Sequence, residues 1–104
     1  MSSIDFFNSL LELGPKQDPL FAFRAGKALL AGRGLAHLTL GQWDDAIADY
    51  DTALKSDSRL ATALYGRGLA RAKKGDTAAG EADMAAAKAL QSDVAATFAS
   101  VEAK

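Results

Sequence analysis

His37 is the only histidine in a chain of 104 residues that contains no cysteine, so the inventory of groups able to do chemistry is short. An imidazole becomes a general base when a serine or cysteine nucleophile lies at a recognisable spacing, and none does; a metal site needs further ligands that the sequence does not group around it. His37 therefore reads as a packed or partly exposed structural histidine. Asp44 and Asp45 come closest to a pair of carboxylates for acid and base work. They fall in the first turn of an expected helix, where the positive end of the helix dipole favours negative charge, and Lys73 and Lys74 mirror them at a helix C-terminus. Gly32, Gly34, Gly66, Gly68 and Gly80 lie inside expected helices rather than in a strand-to-helix turn, so they make no phosphate-binding loop. No catalytic residue, metal, cofactor or small-molecule substrate is expected, and the protein is not read as an enzyme.

Charge narrows the partners further. Twelve basic and 13 acidic groups leave a formal net charge of -1 and a pI near 5.7, without the clustered positive field that binding to nucleic-acid phosphates requires. The first 13 residues carry Asp5 and Glu12 but no Lys or Arg, and no apolar run is long enough to span a bilayer. Neither a signal peptide nor a membrane segment is expected, and the cytoplasm is the expected compartment.

The elements that position these side chains are helical. Alanine fills 23 positions and leucine 14, against nine for Val, Ile and Thr together, a balance that favours helix over strand. Gly14-Pro15, Asp18-Pro19, Gly41, Ser56-Asp57-Ser58, Gly75-Asp76 and Ser92-Asp93 punctuate the chain into about six helices, over 4–13, 19–40, 43–56, 59–74, 76–90 and 93–103. Asp18, Ser58, Asp76 and Ser92 are candidate N-caps, with Pro19 suited to a first helical position. The short connections predict antiparallel hairpins.

One self-comparison dominates. At an offset of 34, Gly32-Arg33-Gly34-Leu35-Ala36 recurs as Gly66-Arg67-Gly68-Leu69-Ala70. In the same register Leu30 meets Leu64, Gly41 meets Gly75, Ala48-Asp49 meets Ala82-Asp83, Ala53 meets Ala87 and Ser58 meets Ser92. A fixed period holding a helix, a glycine turn and a second helix marks a helical solenoid.

On these residues the chain resembles the tetratricopeptide repeat family. Leu30, Gly34, Gly41, Trp43, Ala46, Tyr50 and Ala53 of the unit over 27–60 fall where that family places its large apolar, small, turn, aromatic, small, aromatic and small residues. The Arg33-Gly34 pair and Ala46-Ile47-Ala48-Asp49-Tyr50 are common in bacterial members. The unit over 61–94 is degenerate: Leu64, Gly68, Gly75 and Ala87 remain, whereas Thr77, Gly80 and Met84 replace an aromatic, an alanine and a tyrosine. The resemblance implies an all-α fold of antiparallel hairpins stacked as a short right-handed superhelix. Residues 1–26 would cap it or mediate dimerisation, and 95–104 would form a C-terminal cap.

Five glycines in helix interiors each cost roughly 1 kcal/mol relative to alanine, which argues for close helix packing; Gly34 against Ala46 and Ala53 is the expected narrow contact. Arg33 with Asp49, and Arg67 with Asp83, are the charges preserved between units and predict an Arg–Asp latch inside each hairpin, the alternative being solvated surface charges.

The resemblance also implies a partner groove on the first helix of each repeat, placing Ala31, Leu35, Leu38, Thr62, Tyr65, Leu69, Ala72 and Lys73 on or near it. Family members that grip a peptide carboxylate use Lys, Arg and Asn there; here Ala31, Leu35 and Gly66 stand instead, so that activity is not expected. A mostly apolar groove suits an apolar or amphipathic helix of a protein partner, unless part of this surface is internal core. Outside the repeat register, Phe6, Phe7, Leu10 and Leu11, with Phe21 and Phe23 ahead of the first repeat, form either a cap or a homo-oligomer interface. Val94, Phe98 and Val101 follow i, i+4, i+7 spacing and predict a last helix packed on the second repeat, with Glu102 and Lys104 toward water. The expected function is a non-catalytic protein-interaction module; the alternative is a structural or assembly subunit whose hydrophobic surfaces are consumed by oligomerisation.

Overall fold

A computed structural model describes residues 4–6, 8–9 and 26–102. Residues 4–6 and 8–9 are helical, and four longer helices follow: α1 (Lys27–Thr39), α2 (Trp43–Ser56), α3 (Ala61–Lys74) and α4 (Thr77–Leu90). A 3-10 segment (Val94–Phe98) and a last turn of helix, α5 (Ala99–Glu102), complete the described chain, and no strand occurs among the described residues. The α1–α2 and α3–α4 pairs form two packed hairpins, and α2 packs on α3 to join them. The Gly14-Pro15 and Asp18-Pro19 signals, and the expected start of the second helix at 19, lie outside the described residues.

The repeat in the sequence is a repeat in the turns. Gly41 at φ 77° and Gly75 at φ 106° both take the left-handed conformation that closes a helix, which a side chain would strain. The closures match bond for bond: Gln42 N–H donates to the His37 carbonyl at 2.8 Å, and Asp76 N–H to the Arg71 carbonyl at 2.8 Å.

Helix starts differ from expectation. Asp76 is the N-cap of α4 but makes no side-chain capping bond, and α3 begins at Ala61 behind Leu60, two residues later than Ser58 would have set it. The reason is local: the Asp57 carboxylate accepts the Arg59 N–H at 3.1 Å, so residues 57–59 turn before the helix can begin. The C-terminal stripe is also not one regular helix, since Val94–Phe98 winds as 3-10 before α5. Its apolar face is buried as the spacing required, with Val94, Phe98 and Val101 at most 3% exposed.

Small residues dominate the core: Ala46, Ala53, Ala63, Ala70 and Ala87 are fully buried, and the bulk comes from Leu38, Tyr50, Tyr65, Leu69 and Phe98. In α3 and α4 the backbones meet at Gly68 and Gly80, where a Cβ on either would lie 2.6 or 2.5 Å from the carbonyl oxygen of the other. Such contact replaces bulky side chains with backbone packing, which is how an alanine-rich chain fills its interior.

Candidate functional site

Two guanidinium groups organise the charged interior. Arg33 of α1 grips Asp49 of α2 with both prongs of its fork, Nε to Oδ2 at 2.8 Å and Nη2 to Oδ1 at 2.7 Å. Arg67 of α3 does the same to Asp83 of α4, at 2.9 and 3.0 Å. Asp49 and Asp83 are buried, at 5% and 8% exposure, so each needs its partner. Hydrogen bonding to Asp49 and Asp83 raises both guanidinium pKa values above their ordinary range against the opposing effect of burial.

Each arginine has one nitrogen left, and its use follows the same plan in both hairpins. Arg67 Nη1 donates to Asp51 on α2 at 2.8 Å, reaching the second helix of the preceding hairpin. Arg33 Nη1 donates to Asn8 at 2.8 Å, so the N-terminal helical residues stand toward α1 as α2 stands toward α3. A further nitrogen-bearing side chain completes each cluster. Arg71 donates to Asp83 at 2.8 Å, and His37, its counterpart in the repeat, places Nε2 3.5 Å from Asp49 and Nδ1 2.6 Å from the Gln42 amide oxygen. His37 is thus a structural member of the latch. Among the described residues no group of three or more His, Asp or Glu side chains could hold a metal ion.

Tyr50 of α2 marks where the two hairpins meet. Its ring fills the gaps left by two glycines: a Cβ on Gly34 would lie 2.8 Å from the ring, and one on Gly66 2.3 Å. The nearest neighbour of Gly34 is therefore the Tyr50 ring, not Ala46 or Ala53, because the aromatic reaches across where the alanines stop short. Burial, followed by the charge of Asp49, pushes the Tyr50 phenol pKa well up, and its hydroxyl has no hydrogen-bond partner among the described residues.

Most of the expected groove residues come together on the face shared by α1 and α3, and that face is occupied; Ala72 instead faces α4, its Cβ 3.0 Å from where a Cβ on Gly80 would lie. Phe98 packs against Tyr65, ring centroids 5.2 Å apart, and Leu38, Tyr65 and Leu69 are buried at 1%, 3% and 6% exposure. These three belong to the core because the C-terminal segment lies over this face. Ala31, Leu35, Thr62 and Ala72 are half-buried and Lys73 is exposed. Two open pockets flank the segment. One, of about 190 Å³, is lined by Ala31, Gly32, Leu35, Tyr50 and Thr62 together with Thr97 and Phe98. The other, of about 300 Å³, is lined by residues 38–41, Trp43 and Lys73 together with Val101. Tyr50, Thr97 and Phe98 were not among the groove residues expected from sequence.

A family model described as TPR repeat matches residues 34–75, from the middle of α1 through the glycine that ends α3. Residues 34–75 therefore carry a tetratricopeptide repeat. No curated protein and no solved structure matches it. Tetratricopeptide repeats generally mediate protein–protein interaction and are typically non-catalytic. Among the described residues no helix of this repeat protein is long and apolar enough to cross a membrane.

Of the candidate oligomer residues, Phe6 is 52% exposed. Phe7, Leu10, Leu11, Phe21 and Phe23 lie outside the described residues.

Proposed function

We propose that this protein is a cytoplasmic, non-catalytic interaction module that binds an apolar or amphipathic helical segment of a partner protein on the face shared by α1 and α3. One observation carries the reading: that face already holds a helical segment whose Val94, Phe98 and Val101 are buried on it. Affinity would come from aliphatic and aromatic anchors entering pockets bounded by Ala31, Leu35 and Thr62 at one end and by Leu38 and Lys73 at the other. Tyr65 and Leu69 form the base on which such a segment rests.

A photo-crosslinking residue at Leu35, compared with one at the exposed Ala82 of α4, tests this in cells. A partner captured from position 35 but not from 82, and lost on Leu35→Asp with the helical fold intact, is the expected result. Equal capture from both positions refutes it.

The exposure of Phe6 favours a second reading, self-assembly through the N-terminal residues. Light scattering decides it: a dimer that becomes a folded monomer in the Phe6→Asp, Leu10→Asp variant supports the second reading, and a monomer in both sinks it. The bond from Arg33 to Asn8 supports the competing role of these residues as a cap on α1.

A further inference from the structure

We infer that the C-terminal segment, residues 94–101, is an internal competitor seated in the partner groove, and that the external ligand is a protein segment with the same apolar i, i+4, i+7 spacing. The inference rests on the groove reading above and adds its regulation and the pattern of its ligand.

Three observations converge. First, the segment follows the groove lengthwise: Thr97 and Phe98 share a pocket with Ala31, Leu35 and Thr62, while Val101 shares the next with Leu38 and Lys73. It therefore runs in the same sense as α1 and α3, as a bound helix would. Second, it fits incompletely. Its first five residues wind as 3-10 rather than α-helix, and openings of about 190 and 300 Å³ remain beside it. Third, Tyr50 lines the smaller opening, and its buried hydroxyl has no partner among the described residues although Tyr50 is only 1% exposed. Buried hydroxyls are normally satisfied. A segment that fills the pocket and brings a carbonyl to Tyr50 corrects both defects, whereas the resident segment corrects neither.

Being tethered, the resident segment competes at a high effective concentration and suppresses weak ligands. A partner displaces it by fuller contact, after which Val94, Phe98 and Val101 become exposed.

The probe is a fluorescent peptide of residues 91–104, added to the full chain and followed by anisotropy. The wild-type chain is expected to bind it weakly, and Phe98→Ala at least ten-fold more tightly, because its own segment holds less well. A second variant guards against loss of fold. Thr62→Cys with Thr97→Cys, whose native side chains line one pocket, is designed to pin the segment to α3 in a chain that has no native cysteine; with the disulfide verified by loss of free thiol, oxidised protein should bind no peptide, and reduction should restore binding. Equal binding by oxidised and reduced forms overturns the occlusion, and the groove reading survives if Leu35→Asp still abolishes that binding. Absence of binding by Phe98→Ala and by the reduced cysteine variant overturns the proposed ligand pattern, while capture at Leu35 tests the groove reading independently.

Discussion

Gly66→Ala puts a methyl group where the Tyr50 ring already is. The new Cβ would lie 2.3 Å from Cζ and 2.5 Å from both Cε2 and Oη, against an optimal carbon–carbon contact of about 3.5–4.0 Å. The ring would have to retreat by more than about 1 Å. Its other side is closed by Gly34, where the corresponding distances are 2.8 to 3.0 Å, and the backbones of α1 and α3 bound the slot. Replacing a helical glycine by alanine gains about 1 kcal/mol of propensity; overpacking a well-filled core costs about 1–3 kcal/mol. The expected balance is a net loss of up to about 2 kcal/mol. Tyr50→Leu removes the far end of the ring, so in that background the same Gly66→Ala change should become stabilising by up to about 1 kcal/mol. Urea denaturation of the four proteins of this cycle, at constant m, gives the coupling, expected at about 1–3 kcal/mol. Stabilisation by Gly66→Ala in the wild-type background, or an effect of equal size in both backgrounds, refutes the slot.

Arg67→Lys keeps the charge but loses the fork that holds Asp83 and Asp51 together, so a loss of about 1–3 kcal/mol is expected in the same assay. Lys74→Ala, which breaks only the exposed pair with Asp44, should change stability by less than about 1 kcal/mol. Gly75→Ala forces a Cβ into a φ of 106° and should cost about 1–2 kcal/mol although it meets no neighbour, a purely conformational effect read from the denaturation midpoint. The hydrogen bond from Lys27, helped by the Arg59 N–H, lowers the Asp57 pKa. A lowered folded-state value means its contribution is complete above the unfolded carboxylate pKa of about 3.9 and fades as pH falls through the folded value. Urea midpoints between pH 5 and pH 2 should therefore decline less in Asp57→Asn than in the wild type.

The Arg–Asp latches were legible in sequence because both members recur at the same offset, and a pair preserved with its spacing implies a shared geometry. The turns were legible for a similar reason: Gly41 and Gly75 end helices in a conformation that suits glycine. The partner of the helical glycines was harder to read. Small residues announce close approach without saying to what, and the nearest neighbour of Gly34 turned out to be an aromatic from α2. The missing Ser58 cap reflects competition, since the Asp57 side chain holds a nearby turn where the helix would have started. The spacing of Val94, Phe98 and Val101 revealed a buried face, but amphipathicity does not name the surface that buries it. For that reason Phe98 was absent from the expected groove residues, and three residues assigned to an open groove lie beneath it.

Arg67 holds Asp83 within its own hairpin and Asp51 in the one before, and Tyr50 of the first hairpin fills a space half made by Gly66 of the second. In a linear array, independent opening of a unit requires the coupling across its boundary to be small compared with its internal stability. Here the boundary shares a guanidinium and an aromatic side chain with both interiors. The hairpins should consequently behave as a single cooperative unit, with the slowest amide protons of α2 and α3 exchanging only through global opening and reporting one common free energy.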